Sequence, residues 1–212
     1  MSPRRAKAVS GRAGEDPATA LREHLIDTAE GLLGRRPVGT ITTRDIARAA
    51  GVSDGVLYNY FADKHDLLVA ALLRRYRALA ERFEAAVPAA GTGTVEANLH
   101  VYAEAMHDLQ AGLLPTIAGL VSEPELMHRF VAAIHGVPFG PQHNQRRLAE
   151  YIAHEQELGR VSDVDAAAAS SLLTGAMLVQ VIAGHLVGRD HPAPTTLAAI
   201  VDTLLRGLRL RS

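Results

Sequence analysis

An all-α fold of about nine helices, a small N-terminal unit followed by a larger helical domain, is predicted for this chain. Apolar residues recur at three- and four-residue spacing in segment after segment. Runs of alternating β-branched residues are missing, as are Asn-Gly or Asp-Gly turns between such runs. At 48% hydrophobic and 21% charged over 212 residues, there is enough apolar material for a core, which argues against a disordered chain.

Residues 1–18 hold Pro3, Gly11, Gly14 and Pro17 with Arg4, Arg5, Lys7 and Arg12. They show no apolar period, so a mobile basic tail is expected. Leu21, Leu25, Ala29, Leu32 and Leu33 mark the first helix, with Gly34 near its end and a break over 36–40. Two short helices follow, 43–50 and 53–60. Asp63 starts a longer one that runs to Val87, where Pro88 stops it. After a loop at 89–93, helices are expected at 94–110, 113–121, 124–135, 143–158, 163–188 and 194–210. The breaks fall at Gly112, Glu123-Pro124, 136–141, Gly159 and 191–194.

Residues 1–80 carry 13 Lys and Arg against 9 Asp and Glu, and residues 81–212 carry 9 against 14. A net charge of −1 therefore conceals a basic front and an acidic rear, and only the front suits a polyanion. With no cysteine, a disulfide scaffold, a thiolate zinc site and a cysteine nucleophile are excluded. The basic opening residues lack an apolar stretch behind them, so no secretory signal is read and a cytoplasmic location is expected. Residues 166–188 are long enough to span a bilayer. Their Ser170, Ser171, Thr174, Gln180 and His185, among many alanines and glycines, argue instead for a buried helix and no membrane partner.

The informative stretch is 42–61. Ala47 offers a small contact on one helix, and Gly51, four residues on, suits a turn that needs φ > 0. Ile46, Ala50, Val52, Leu57 and Phe61 make a shared apolar seam, and Ser53 is placed to cap the second helix. This is the layout of a helix-turn-helix, whose second helix enters a DNA major groove.

Residues 19–79 resemble the DNA-binding domain of the TetR family of bacterial transcriptional regulators. The resemblance rests on Thr43, Asp45-Ile46-Ala47 and Ala50-Gly51-Val52-Ser53, then Gly55, Leu57-Tyr58, Tyr60-Phe61, Lys64 and Leu67. It implies a homodimer, a palindromic double-stranded DNA operator, and a domain over 80–212 for ligand binding and dimerisation. Tyr58, Tyr60 and Lys64 resemble the family's phosphate-contacting positions. Thr42 and Thr43 begin a helix, so their hydroxyls and amides are candidates to hold a phosphate. Arg44 and Arg48 lie a turn apart on the open face, either on DNA or simply solvated. Base reading is assigned to Ser53, Asp54, Gly55, Tyr58 and Asn59. Asp54 departs from the family pattern. It stabilises a helix N-terminus yet is repelled by phosphate, and it either reads a cytosine or excludes wrong sites. The basic tail either reaches a neighbouring groove or serves as a solubilising end.

In the rear domain, Ala167, Ser171 and Gly175 form a small-residue stripe beside Leu172, Ala176, Val179 and Val187. With Leu197, Ile200, Val201, Leu204 and Leu208 they fit a four-helix bundle across a two-fold axis. An effector pocket is expected among Leu99, Tyr102, Met106, Leu114, Ile117, Leu120, Met127, Phe130, Ile134, Phe139, Tyr151 and Met177, and its apolar character favours a hydrophobic or aromatic ligand. Histidines 100, 107, 128, 135, 143 and 154 lack metal-site spacing, His100 and His107 being two turns apart, so no metal and no cofactor are expected. Gly-rich phosphate loops and nucleophile elbows are also missing, so no enzyme is expected. A repressor released by a small effector is the leading reading. A DNA-bound scaffold recruiting a protein is the alternative, and a rear domain without a cavity would favour it.

Overall fold

A computed structural model describes residues 16–187 and 196–206. Among them are nine α-helices and no strand. They are α1 Pro17–Leu33, α2 Thr43–Ala50, α3 Asp54–Leu57, α4 Lys64–Ala86, α5 Val95–Leu120, α6 Pro124–His135, α7 Pro141–Glu157, α8 Ala166–Val187 and α9 Leu197–Arg206, with a 3-10 turn at Val38–Thr40 between α1 and α2. The basic tail, apart from its last residues, and the segments 188–195 and 207–212 lie outside the described residues.

The chain falls into two compact units. The first joins α1, α2, α3 and α4 as far as Tyr76 to the segment Thr116–Ile134, which holds the end of α5 and nearly all of α6. The sequence reading, by contrast, cuts once at 79/80. Proline opens α1, where its missing N–H costs nothing, and Leu25, Ile26 and Ala29 form its buried stripe. The guanidinium of Arg74 on α4 reaches both Asp27 and Glu23 on α1. Ile46, Leu57, Phe61, Leu67, Leu68 and Leu72 fill the interior at 3% exposure or less. Each such side chain stabilises by roughly 1.5–3 kcal/mol. Asp63 caps α4 by accepting from the Asp66 amide at 2.8 Å, and Asp66 accepts from the Ala62 amide at 3.1 Å.

The second unit holds α4 from Arg77, α5 as far as Pro115, α7, α8 and α9. Helices expected at 94–110 and 113–121 are one helix here, and Gly112 does not break it. A Cβ at Gly112 would stand 2.7 Å from Leu79 Cδ2, so this glycine provides close approach rather than a turn. Phe83, Tyr102 and Tyr151 form an aromatic cluster with ring centroids 6.2 and 5.1 Å apart. The fully buried Glu155 accepts from the Gly91 amide at 3.1 Å and pairs with Arg160 at 3.1 Å. Arg160 in turn donates to the Gly93 carbonyl at 2.8 Å, so the 89–93 loop is pinned to the end of α7.

Helix α8 is long and apolar enough to cross a membrane by length and composition. It is not the buried helix expected. Ser170, Leu173, Met177 and Val181 are buried along one side. Leu172, Leu178, Val179, Ile182 and Leu186 on the other side are 38–78% exposed.

Candidate nucleic-acid interface

Thr42 begins α2 in extended backbone and forms a reciprocal cap with Asp45. The Asp45 amide donates to Thr42 Oγ1 at 3.1 Å, and the Thr42 amide donates to Asp45 Oδ2 at 3.0 Å. Hydrogen bonds from Thr42, with Arg36 nearby, hold the Asp45 carboxyl at about 2. The hydroxyl and amide of Thr42, expected to hold a phosphate, are engaged with Asp45 in the free protein. Thr43 remains, half-buried on the first turn.

The turn is as the sequence requires. Gly51 has φ 71 and ψ 26, in the left-handed region. Its amide donates to Arg48 O at 3.2 Å and the Val52 amide to Ala47 O at 3.0 Å, the paired bonds of a Schellman motif. The buried Ala47 and Ala50 let the two helices cross closely.

Helix α3 is shorter than the 53–60 expected. It ends at Leu57 and continues as turns through Tyr60. Ser53 occupies the cap position, yet its hydroxyl makes no capping bond. The Val56 amide, the natural donor, bonds Ser53's own carbonyl at 3.0 Å instead. That frees the Ser53 hydroxyl for another partner. Ser53, Asp54, Gly55, Tyr58 and Asn59 are all exposed, and Tyr60 is half-buried. Nothing lies within 4 Å of a Cβ built on Gly55.

Asp54 pairs with Arg44 at 3.5 Å, joining α3 to α2 across the turn. Asp54 is thus matched by a cation of this chain, at an exposed site where such a pair contributes little stability. Arg48 and Lys64 form no ion pair among the described residues, so both cations are available to phosphate. Thr43, Tyr58 and Lys64 border one pit of about 10 Å³ floored by Ile46, Leu57, Phe61 and Leu67. Asp63 borders it too, and sequence reasoning missed what happens there. Arg129 on α6 donates to Asp63 at 2.8 Å and to Glu125 at 2.8 Å. The Asp66 amide, and then Arg129, hold the Asp63 carboxyl below its usual range. Arg129 so neutralises the acid next to Lys64, and no motif spacing foretells it.

In the second unit, a cavity of about 650 Å³ is lined by Val95, Glu96 and Leu99 of α5, Tyr151 and Ile152 of α7, residues 160–162, 164 and 165, the first turns of α8 as far as Leu172, and Leu204 and Leu205 of α9. Of the twelve residues expected to line a pocket, only Leu99 and Tyr151 do so. Burial pushes the Tyr151 phenol up to about 12 and the Tyr102 phenol upward also, so both are neutral donors. Tyr102, Met106 and Met177 are buried side chains of the unit's interior. Leu114 is half-buried, and Phe139 lies under the Arg77 guanidinium at 5.1 Å. Ile117, Leu120, Met127, Phe130 and Ile134 belong to the first unit.

Residues 25–71 match the family described as bacterial regulatory proteins, tetR family. The chain is 38% identical over 56 residues to the HTH-type transcriptional regulator AcrR of Shigella flexneri, covering 26% of each chain. It is 35% identical over 71 residues to the HTH-type transcriptional regulator BetI of Rhizobium meliloti, covering 34% of this chain and 35% of that one. These matches span about a quarter to a third of the relatives' length. Solved structures resemble the fold over far more of it. A Mesorhizobium loti chain assigned to the TetR family superposes with a TM-score of 0.72 at 17% identity, covering 91% of this chain and 96% of that one. FadR of Bacillus subtilis, in complex with stearoyl-CoA, gives 0.59 at 18% identity, with 88% and 99% covered. The Schellman turn and the exposed front of α3 both fall within residues 25–71, and that stretch is what matches the tetR family of bacterial regulatory proteins.

Proposed function

We propose that the protein is a sequence-specific DNA-binding transcriptional regulator, working in the cytoplasm as a homodimer, and a repressor that a small, largely hydrophobic effector releases from its operator. The observation that carries this reading is the geometry of residues 42–64. A left-handed Gly51 turns the chain into α3, whose Ser53, Gly55 and the following Tyr58 and Asn59 are exposed, and Lys64 and Arg48, without an ion pair among the described residues, lie in the same stretch. Backbone contacts from Thr43, Tyr58, Tyr60 and Lys64 fix the register, and Ser53, Gly55 and Asn59 face base edges. Arg44 neutralises Asp54 in the free protein.

A single α3 spans one turn, too little surface for tight binding. A two-fold pair spaces two recognition helices about 34–36 Å apart on successive major grooves. The exposed apolar side of α8 supports such a pair, since a second copy would cover Leu172, Val179 and Leu186. The open cavity of about 650 Å³, within the range of small-ligand sites, speaks for an effector and against a ligand-independent scaffold. Its mostly apolar walls suit a hydrophobic or aromatic molecule. Selection of bound duplexes from a random pool tests the reading. Enrichment of a palindrome with half-sites one helical turn apart supports it. A pool that stays random, or a single asymmetric site, overturns it.

A further inference from the structure

We propose that Glu96, His100 and Asp202 bind a divalent transition-metal ion, Zn²⁺ by their chemistry, which clasps α9 to the first turns of α5. All three lie in the second unit, and the inference does not rest on the DNA-binding reading. Glu96 and His100 are four residues apart and share one face of α5, and Asp202 comes from the middle of α9. One ligand atom from each lies within 4.8 Å of the others.

The His100–Asp202 contact is informative. Nε2 and Oδ1 stand 3.6 Å apart, longer than a hydrogen bond, whose N···O distance centres on about 2.9–3.0 Å. Two donors each about 2.0–2.1 Å from a tetrahedral ion are separated by roughly 3.3–3.4 Å, so the pair already stands near the spacing of shared ligands. Two carboxylates converge here, and among the described residues neither forms an ion pair with a Lys or Arg. A divalent cation would neutralise both. Glu96 is exposed, and the other two are half-buried, so an ion has an entry path and a fourth position stays open to water. One imidazole with two carboxylates suits zinc and its neighbours, whereas magnesium and calcium take all-oxygen sites. The partners of His100 are carboxylates rather than other histidines, one of them far along the chain.

Zn²⁺ is titrated into the metal-free full-length chain by calorimetry, with Co²⁺ as a visible-absorption probe of the same site. One ion per chain is expected, with the intense bands of a four-coordinate Co²⁺. Changes outside the ligand shell already cost about 10–100-fold in metal affinity, so Glu96→Gln, His100→Gln and Asp202→Asn should each weaken binding at least tenfold. His154→Ala, which removes an exposed histidine of α7, should leave it unchanged. Equal binding by the triple variant, no saturable binding by the unmodified chain, or a Co²⁺ spectrum like that of the free aquo ion overturns the proposal. The last measurement needs no variant and decides the matter even where a substituted chain misfolds.

Discussion

Replacing glycine with alanine at positions 51 and 55 should have opposite effects on stability. Gly51 has φ 71 and ψ 26, and a Cβ there meets nothing within 4 Å. Gly51→Ala therefore introduces no clash, only the left-handed backbone penalty of roughly 1–2 kcal/mol. Gly55 lies inside α3 with ordinary helical backbone, also with open space around its Cβ. Gly55→Ala removes unfolded-state freedom at no steric cost and should stabilise by about 0.5–1 kcal/mol. The two changes are chemically identical and four residues apart, so a gap of about 1.5–3 kcal/mol between them isolates backbone conformation. Urea unfolding followed by circular dichroism measures it. Fluorescence anisotropy on a selected operator should show the reverse ranking for Gly55→Ala, with a more stable protein binding more weakly because the added methyl holds the α3 backbone off the duplex. Equal signs in the unfolding experiment would refute the turn assignment. A Gly55→Ala protein with undiminished operator affinity would refute close backbone approach at that position.

Three further outcomes are expected. Lys64→Ala removes one phosphate contact per protomer, so for a dimer the slope of log affinity against log salt should flatten by about 1.8. Between 50 and 200 mM salt that makes the loss of affinity about twelvefold smaller than for the unmodified protein, as salt titrations of operator binding would show, and an unchanged slope would remove Lys64 from the interface. For Asp45 the folded pKa, about 2, lies below the ordinary 3.8. Its contribution to stability is therefore complete above about pH 5 and lost as the pH falls toward 2, and Asp45→Asn should flatten that part of the pH–stability profile and leave the neutral-to-basic part parallel. Leu172→Asp with Val179→Asp, both on the exposed side of α8, should give monomers in analytical ultracentrifugation and abolish operator binding with little loss of helicity.

The legible parts of the chain were those whose determinants are local. Ala47 and Gly51 reveal the turn because its backbone demands a left-handed residue four positions after a small one. The bounds of α2 follow from Thr42 and Gly51 in the same way. At Ser53 residue type signals a cap position, whereas the hydrogen bond depends on which acceptor the Val56 amide meets. Gly112 reads as a break for a similar reason, since only the neighbouring Leu79 explains the missing side chain. Cavity-lining and core residues share one apolar alphabet, so Phe130 and Met177 read alike with Leu99 although only the last borders the cavity. Arg129 and the Glu96–His100–Asp202 group depend on helices distant in sequence, and no spacing rule reaches across such gaps.

The grouping of 116–134 with the N-terminal helices makes that unit discontinuous along the polypeptide. Leu120, Leu126 and Phe130, each no more than 1% exposed, and the Arg129 clamp on Asp63 would all be missing from a recombinant fragment cut at residue 79. Grafting this unit onto another helical domain by a single crossover would likewise leave part of its interior behind. A portable version needs two junctions, with a short linker standing in for 77–115.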